Sequence, residues 1–226
     1  FPEVHLTPKD LSSSWAGLRP LIFEEDKSAS EMSRKDEFFF SANGLISIAG
    51  GKLTGYRKMA ERTVDVVIEK LEEEGLLSKE LKDCFSDKIA LGSHPFKDMA
   101  DVSETKRIIS EKLSGHFGKS SQLADYLVSN YGKETYVLLE KIASAVPTYE
   151  DLLKAEMEFT IDNELTLLPL DFINRRTGRL YFNLEQTLPY IDFILSFFAE
   201  KFTWDTDKLA DQKEAVWQAI NDARVL

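Results

Sequence analysis

"GLISIAGGKLTGYRKMAE", residues 44–61, runs from an apolar strand through two glycines and a lysine into a helix. Backbone N–H groups point outward at such a junction, and the helix dipole is positive there, so an anionic or electron-rich ligand is attracted. The spacing differs from the P-loop and from the glycine-rich dinucleotide motif, which place their glycines at other offsets. The pattern alone therefore fits both a ligand site and a plain tight turn.

The strand side of the junction is predicted to be a β-hairpin. "DEFFFSANGLISIAGG", residues 36–51, contains two strand-like runs around Asn43-Gly44, a pair typical of tight hairpin turns. The second run is nearly all apolar, which predicts a strand covered on both faces. The phenylalanines at 38–40, like "FILSFF" at 193–198, are interpreted as core side chains rather than as a membrane anchor.

The other side of the junction is predicted to be a helix from about Thr54 to Glu74, because apolar residues recur at helical spacing. Thr54 is expected to cap this helix, and Gly75 ends it. Lys52 adds one movable cation beside the start of the helix. The paired glycines before it permit positive φ and a close approach of the backbone.

The domain organisation is predicted from changes in periodicity along the chain. Residues 1–75 carry the strand-rich part, 76–100 show no sustained period and predict a linker, and 101–226 predict an irregular helical bundle. Asp101–Glu104 resembles a capping box, and Thr148 is expected to cap a later helix. The predicted fold class is α+β, a strand-rich segment followed by an all-α helical domain.

Composition narrows the classes of function. The 226 residues carry a formal net charge of −11, which argues against a general nucleic-acid binder, since such a protein needs a cationic field. A local anion site is still compatible, because nearby dipoles and cations outweigh distant, screened charges. No apolar run is long enough to span a bilayer, so any membrane contact is expected to be peripheral. Because the chain begins at Phe1 without Met, we expect it to be part of a longer protein.

Three groups of arginines are candidate anion-binding residues. Arg19 lies in an apolar neighbourhood, where a guanidinium is costly unless it forms an ion pair or faces a cleft. Arg34 stands beside other charged residues, and composition alone predicts surface charge there. Arg175 and Arg176 follow an acidic helix, which predicts ion pairs between helices and makes a phosphate site the secondary interpretation.

The sequence predicts no metal site and no nucleophilic cysteine. His5, His94 and His116 stand in unrelated contexts without metal-ligand spacing. Cys84 is the only cysteine, which rules out an internal disulfide, and it has no histidine nearby.

Three segments together carry a resemblance to a known family. They are "SWAGLRPL" at 14–21, "SRKDEFFFSANGLISIAGGKLTGYRKMAE" at 33–61 and "EFTIDNELTLLPLDFINRRTGRLYF" at 158–182. In this order they closely resemble the C-terminal part of the flavin-dependent glycerol-3-phosphate dehydrogenases of the aerobic, respiratory type, which are related to alpha-glycerophosphate oxidase. The resemblance implies that residues 1–75 are the last piece of an FAD- and substrate-binding domain and that 101–226 are its helical C-terminal domain.

The same resemblance implies roles for individual residues. Gly50, Gly51, Lys52, Leu53 and Thr54 would turn the backbone under the flavin of FAD. A helix N-terminus there would stabilise the negative charge that reduction places on one edge of the flavin ring.

The substrate contacts implied by the resemblance are cations. Arg19 and Arg34 would bind the phosphate and oxygens of sn-glycerol 3-phosphate, which replaces the surface interpretation of Arg34. Lys52 would lie between substrate and flavin, as the one catalytic residue that this part of the protein supplies. The remaining substrate contacts and the nucleotide-binding motif are expected in the N-terminal FAD-binding part of the same enzyme.

The implied reaction is oxidation of glycerol 3-phosphate to dihydroxyacetone phosphate by hydride transfer to FAD, with electrons passed to a quinone. The expected location is the cytoplasm, with peripheral contact at the inner face of the cell membrane, and a homodimer is compatible with the resemblance. Two alternatives stay open. One is an oxidase that uses O₂, although relatives of that kind often carry a long insertion between the Arg19 and Arg34 motifs, and the interval here is short. The other is a non-catalytic helical docking or oligomerisation module, which describes these residues in isolation.

Overall fold

The computed structural model describes residues 3–5, 7, 10–18, 22, 36–77, 81–142 and 144–224. The chain forms two compact units, one of Phe1–Trp15 with Leu91–Leu226 and the other of Ala16–Ala90. We call the first the helical unit and the second the hairpin unit. The boundaries of the linker at 76–100 stay predictions, and the described residues from 81 to 98 form no helix or strand.

The hairpin unit contains the β-hairpin that the sequence predicts. Strands β1 (Asp36–Phe40) and β2 (Ile46–Gly50) pair antiparallel. In the turn between them Gly44 has a φ of 87°, and the Asn43 side-chain oxygen accepts a hydrogen bond from the Leu45 N–H at 3.2 Å. Glycine adopts this left-handed conformation without steric cost, so the Asn-Gly pair sets the turn as expected.

The helix predicted after the paired glycines is also present. One turn of 3₁₀ helix, Leu53–Gly55, leads into α1 (Tyr56–Glu73). Gly75 has a φ of 67° and ends the helix, because a residue with a side chain rarely adopts that conformation. The strand-turn-helix order predicted for 36–75 is confirmed.

The predicted burial of the hairpin is wrong. No described residue of the hairpin unit is buried, and Phe39 and Phe40 are 46% and 58% exposed. The phenylalanines at 38–40 are therefore not core, and β2 is not covered on both faces. The physical reason is that two strands and one helix supply no second layer of side chains to pack on this sheet.

In the helical unit, helices of short and medium length pack around two apolar clusters. One cluster joins the helices from 99 to 164, and the other joins those from 149 to 224. A π-helical segment, Asp171–Arg176, and short 3₁₀ turns connect some of them. In chain order the helices are α2 (Met99–Leu113), α3 (Ser120–Tyr131), α4 (Thr135–Glu140), α5 (Tyr149–Glu164), α6 (Arg179–Phe182), α7 (Leu184–Thr187), α8 (Ile191–Lys201) and α9 (Thr206–Arg224).

Helix α5 lies between the two clusters and contributes to both. Leu153 and Met157 belong to the cluster that extends to α9, whereas Leu152 and Phe159 belong to the cluster with α2 and α3. Because these side chains point in different directions around the helix, α5 is buried on most of its surface. A charged residue on α5 that is buried between the clusters therefore needs a partner, and Glu156 is such a residue.

Of the two helix starts predicted from capping residues in this unit, one is confirmed and one is wrong. Thr148 caps α5, as predicted, and the structure adds a capping box that Thr148 forms with Asp151. The cap of α2 is Asp98, whose side chain accepts a hydrogen bond from the Asp101 N–H, so the capping box predicted at Asp101–Glu104 is wrong. Asp98 rather than Asp101 sets the start of α2, because the Asp98 side chain reaches an N–H group of the first turn. The predicted core segment at 193–198 is confirmed, since Ile194, Leu195 and Phe198 are buried and Phe193 and Phe197 pack against the same cluster.

Candidate functional site

The candidate site is a sharp strand-to-helix junction in the hairpin unit, residues 50–56, which we call the elbow. Gly50 and Gly51 have φ values of 83° and 82°, in the left-handed region that favours glycine. A Cβ atom on Gly51 would lie 2.4 Å from the sulfur of Met59. The backbone conformation therefore requires glycine at position 51, and a side chain there would also displace the end of the Met59 side chain.

The elbow presents free backbone N–H groups at the start of a helix. Lys52 is extended, and the Gly55 N–H donates to its carbonyl at 2.8 Å. The residue that caps α1 is Gly55, and no described side chain caps either the 3₁₀ turn or α1. The prediction that Thr54 caps the helix is therefore wrong, because the 3₁₀ turn moves the helix start beyond its reach. The Gly55 and Tyr56 N–H groups donate within the 3₁₀ turn, whereas those of Leu53 and Thr54 make no hydrogen bond with the residues that the structure describes and stay available.

The electrostatic character of the elbow is positive. No acidic residue lies in the first turn of the 3₁₀ helix or of α1, so the helix dipole is not offset there. The Lys52 ammonium is exposed and makes no ion pair or hydrogen bond with any residue in the described ranges. Leu53 is 90% exposed and Tyr56 is 60% exposed, so the elbow also carries uncovered apolar surface. This arrangement suits a flat ligand with a polar, electron-rich edge.

Charged and aromatic contacts hold α1 against the hairpin below the elbow. Arg62 of α1 forms an ion pair with Asp36 of β1, and its guanidinium lies 5.7 Å from the centre of the Phe38 ring. Asp36 stands opposite Gly50 in the strand register, so this pair fixes the strand end that opens the elbow. Contacts within the hairpin unit therefore stabilise the conformation of the elbow.

Two of the predicted site residues, Arg19 and Arg34, lie outside the described residues. Their roles as substrate-binding cations therefore stay predictions. The five predicted flavin-contacting residues, Gly50–Thr54, all lie in the elbow and are adjacent in space. Their roles likewise stay predictions, supported by the geometry just described.

The arginine doublet of the helical unit makes ion pairs, as the sequence predicts, although only one of them joins separate segments. Arg176 lies 3.9 Å from the Glu164 carboxylate and also donates to the Glu164 carbonyl. Arg175 pairs at 2.7 Å with Asp171 on its own helical segment. Both pairs are exposed to solvent and are consistent with a structural role.

A buried polar network in the helical unit was not predicted. Glu156 accepts hydrogen bonds from the hydroxyls of Tyr126 at 2.8 Å and Tyr131 at 2.9 Å. Its other oxygen accepts from Arg179, which also donates to the Tyr149 hydroxyl at 2.9 Å. Glu156 is 0% and Arg179 2% exposed, so this is a fully buried ion pair between the two apolar clusters.

Burial and charge shift the pKa values in this network. Burial raises the pKa of Tyr126 and Tyr131, and the Glu156 carboxylate raises both further. Burial, the largest single effect, would lower the pKa of Arg179, but the Glu156 charge together with Tyr126 and Tyr149 outweighs it, so the pKa is raised and the guanidinium stays charged. The tyrosines are thus neutral donors to a buried carboxylate.

This network predicts a loss of stability at high pH. In the unfolded chain a tyrosine ionises near pH 10, whereas folded Tyr131 keeps its proton, so its contribution is complete below pH 10 and is lost above it. At pH 11 the ionisation of each such tyrosine in the unfolded chain should lower the free energy of unfolding by about 1.4 kcal/mol. Urea unfolding at pH 8 and 11 should therefore show a smaller drop for Tyr131→Phe than for the wild type. Tyr136→Phe, whose hydroxyl is outside the network, should show the wild-type drop, and equal drops in all three proteins would contradict the prediction.

The described part of the chain lacks two further kinds of site. It contains no group of three or more His, Cys, Asp and Glu side chains that could hold a metal ion. None of its helices combines the length and the apolar character needed to cross a membrane.

Comparison with known proteins gives concordant matches. The family model described as the C-terminal domain of alpha-glycerophosphate oxidase matches residues 89–209. The chain is 38% identical over 234 aligned residues to the aerobic glycerol-3-phosphate dehydrogenase of Bacillus subtilis (strain 168). It is 35% identical over 230 residues to the protein of that name from Staphylococcus aureus (strain bovine RF122 / ET3-1). These alignments cover 100% and 99% of this chain but 41% and 40% of the relatives.

A solved structure extends the comparison to three dimensions. The X-ray structure of the glycerol-3-phosphate dehydrogenase from Bacillus halodurans, complexed with FAD, matches with a TM-score of 0.64 and 30% sequence identity. The match covers 100% of this chain and 42% of that protein, so the chain spans about two fifths of the length of the relatives that it matches. The family model covers more than half of the chain, from 89 to 209. The chain belongs to the family of the C-terminal domain of alpha-glycerophosphate oxidase.

Proposed function

We propose that this chain is the C-terminal part of an FAD-dependent enzyme that oxidises sn-glycerol 3-phosphate to dihydroxyacetone phosphate and passes the electrons to a quinone. The observation that carries the proposal is that the whole chain, with its uncapped elbow, matches a glycerol-3-phosphate dehydrogenase complexed with FAD. Relatives named aerobic glycerol-3-phosphate dehydrogenase support the same substrate.

The elbow fits one edge of the flavin ring. Its unpaired N–H groups, its positive helix end and the absence of acidic residues in its first turns suit an edge that gains negative charge. Gly50, Gly51, Lys52, Leu53 and Thr54 would hold this edge, with the glycines allowing the backbone to lie close to the ring. When bound, FAD supplies the acceptor for the hydride that leaves C2 of the substrate.

The cations of this chain would bind and orient the substrate. Arg19 and Arg34 would contact the phosphate and oxygens, because a guanidinium can bind a phosphate through two parallel hydrogen bonds. Lys52 has no partner among the described residues, so its ammonium is available between substrate and flavin. Fixing the substrate in a reactive orientation can lower a barrier by several kcal/mol.

The exposed apolar surface of the hairpin unit supports an enzyme that continues beyond this chain. Phe40, Leu53 and Val64 are each more than half exposed, and a surface of this kind is typical of an interface. We infer that the N-terminal FAD-binding part of the same enzyme covers it. The helices from 99 to 224 would then form the all-α C-terminal domain of that enzyme.

The electron acceptor and the cellular setting are inferred from the same relatives. An aerobic dehydrogenase that passes electrons to a quinone would act in the cytoplasm and contact the inner face of the membrane peripherally. A homodimer stays a prediction. The description of the family model as part of an oxidase favours one second candidate, transfer of electrons to O₂. Peroxide released by the full-length protein during substrate oxidation would favour this candidate.

The proposal predicts a strong effect of Arg19→Lys in the full-length protein. Lysine keeps the charge but cannot make the two parallel hydrogen bonds, so kcat/KM for glycerol 3-phosphate should fall roughly 10- to 100-fold. Dye-linked substrate oxidation measures this directly. Arg175→Lys is the matched control, because Arg175 makes only an exposed ion pair with Asp171, and its kcat/KM should stay within about twofold of wild type. Similar losses in both variants would count against the assignment of Arg19.

A further inference from the structure

A short segment near the start of the chain, residues 13–15, is attached to the helical unit, and we call it the anchor segment. The Ser13 hydroxyl donates a hydrogen bond to the Tyr181 carbonyl at 2.6 Å. The Ser14 N–H donates to the Ala223 carbonyl at 2.7 Å. Both acceptors lie in the last turn of a helix, α6 or α9, where carbonyl groups lack partners within the helix. The two bonds therefore join the anchor segment to helices that come much later in the chain.

The third residue of the anchor segment, Trp15, adds aromatic contacts with α6. The centre of its ring lies 5.1 Å from that of Tyr181, in a tilted arrangement, and 5.8 Å from that of Phe182, edge to face. Aromatic pairs with this geometry attract each other beyond the effect of the apolar area that they bury. The Phe182 ring in turn lies against Gly178, where a Cβ atom would be 3.1 Å from it. The anchor segment is thus held by two hydrogen bonds and two ring contacts.

The exposure of the ring pair argues against a role in the core. Trp15 is 65% exposed and Phe182 is 77% exposed. Neither side chain is part of the two apolar clusters that the described residues form. Replacing either one should therefore leave the core of the helical unit intact. The effect of the contacts is to fix the position of the chain at residue 15.

The fixed position lies close in sequence to the predicted phosphate-binding cation. Arg19 follows Trp15 by four residues. Four residues span at most about 14 Å, so fixing Trp15 limits the region that the backbone of Arg19 can reach. A guanidinium that makes two parallel hydrogen bonds to a phosphate must be held in one orientation. Holding the chain in advance lowers the entropy that is lost when the substrate binds.

We propose that Trp15 is a positioning residue for substrate binding, which acts by holding the segment that carries Arg19 on α6 of the helical unit. This role depends on the proposed function, in which Arg19 binds the substrate phosphate. The helical unit then contributes to the affinity for substrate through the chain, without itself contacting the substrate.

Steady-state kinetics of the full-length flavoprotein with glycerol 3-phosphate provide the first test. Trp15→Ala should raise KM about fivefold or more and change kcat less than about twofold, because a contact with the unreacting phosphate stabilises the ground state and the transition state alike. Trp15→Phe keeps a ring against α6, so its KM should stay within about twofold of wild type.

The partner of Trp15 on α6 gives a second variant that leaves the anchor segment itself unchanged. Phe182→Ala removes one of the two ring contacts and should raise KM about twofold to threefold, with kcat unchanged. Met99→Ala is the matched control, since Met99 at the start of α2 is 75% exposed, about as much as Phe182, and its replacement should leave KM at the wild-type value.

A double-mutant cycle separates positioning of Arg19 from a general structural effect. When Arg19 is already alanine, Trp15→Ala should lower kcat/KM by less than about 1.5-fold, because the residue through which Trp15 acts is missing. The same loss in both backgrounds, or an unchanged KM in Trp15→Ala alone, would overturn the proposal and leave the proposed enzymatic function untouched. A fall in flavin absorbance per mole of Trp15→Ala that matched its loss of activity would also contradict the proposal, since Trp15 would then maintain the fold. If Arg19→Ala alone left kcat/KM unchanged, the assignment of Arg19 and the role of Trp15 would both be wrong.

Discussion

Replacing Arg179 by methionine is expected to lower the free energy of unfolding of the chain by about 3–5 kcal/mol. The change leaves the Glu156 carboxylate buried without its cation, with only tyrosine hydroxyls as donors. It also removes the guanidinium from its positions near the Tyr126 and Phe172 rings, 5.1 Å and 5.8 Å from their centres. Urea unfolding followed by far-UV circular dichroism measures the effect.

Arg175→Met is the matched control for this prediction. Arg175 makes an exposed ion pair of the kind that contributes at most about 1 kcal/mol. The double replacement of Arg179 by methionine and Glu156 by leucine should recover much of the loss, because no unpaired charge then stays buried. If Arg179→Met lowered the free energy of unfolding no more than Arg175→Met, the network would not contribute to the stability of the fold.

The large expected effect follows from the position of the network. Tyr126 and Tyr131 come from α3, Glu156 comes from α5, and Arg179 comes from α6. These residues lie where the two apolar clusters meet, so their hydrogen bonds join parts of the helical unit that are far apart in sequence. Loss of the ion pair should therefore loosen the packing of both clusters.

The hairpin and the elbow could be predicted because their signals are local. Asn43-Gly44 specifies a turn through backbone conformation, and the paired glycines at 50 and 51 specify the change of direction before α1. Each signal depends on a few neighbouring residues and needs no knowledge of tertiary packing. The cap by Thr54 failed because a single turn of 3₁₀ helix, which depends on fine geometry, moved the start of α1.

The buried ion pair between Glu156 and Arg179 could not be predicted from local signals, because the two residues are 23 positions apart and meet only in the folded unit. A signal for Glu156 was nevertheless present. Glu156 stands four residues after Leu152 and three before Phe159, on the helical spacing that buries those apolar side chains. A carboxylate at such a position indicates a buried partner, and Arg179 rather than the Arg175–Arg176 doublet supplies it.

Replacing Gly51 by alanine in the full-length protein is expected to reduce FAD affinity at least tenfold and activity with it. At a φ of 82° a side chain costs roughly 1–2 kcal/mol, and the new Cβ atom would lie 2.4 Å from the Met59 sulfur. Both effects would shift the backbone that we propose lies against the flavin. Flavin absorbance per mole of purified protein, with dye-linked substrate oxidation, measures the loss.

The matched control for Gly51 is another glycine of the elbow. Gly55 has a φ of −93°, and a Cβ atom there would meet no other atom within 4 Å. Gly55→Ala should therefore keep flavin content and activity within about twofold of wild type, because alanine fits this conformation without strain. Equal behaviour of the two variants would mean that the shape of the elbow is not what holds the cofactor.

The most direct test of the central claim is a crystal structure of the full-length protein with FAD and glycerol 3-phosphate. The proposed function predicts backbone N–H groups of the elbow within hydrogen-bond distance of the flavin ring, with the Lys52 ammonium directed toward the substrate. It also predicts the Arg19 guanidinium on the substrate phosphate. A flavin ring bound elsewhere, with the elbow packed against protein or open to solvent, would contradict the account.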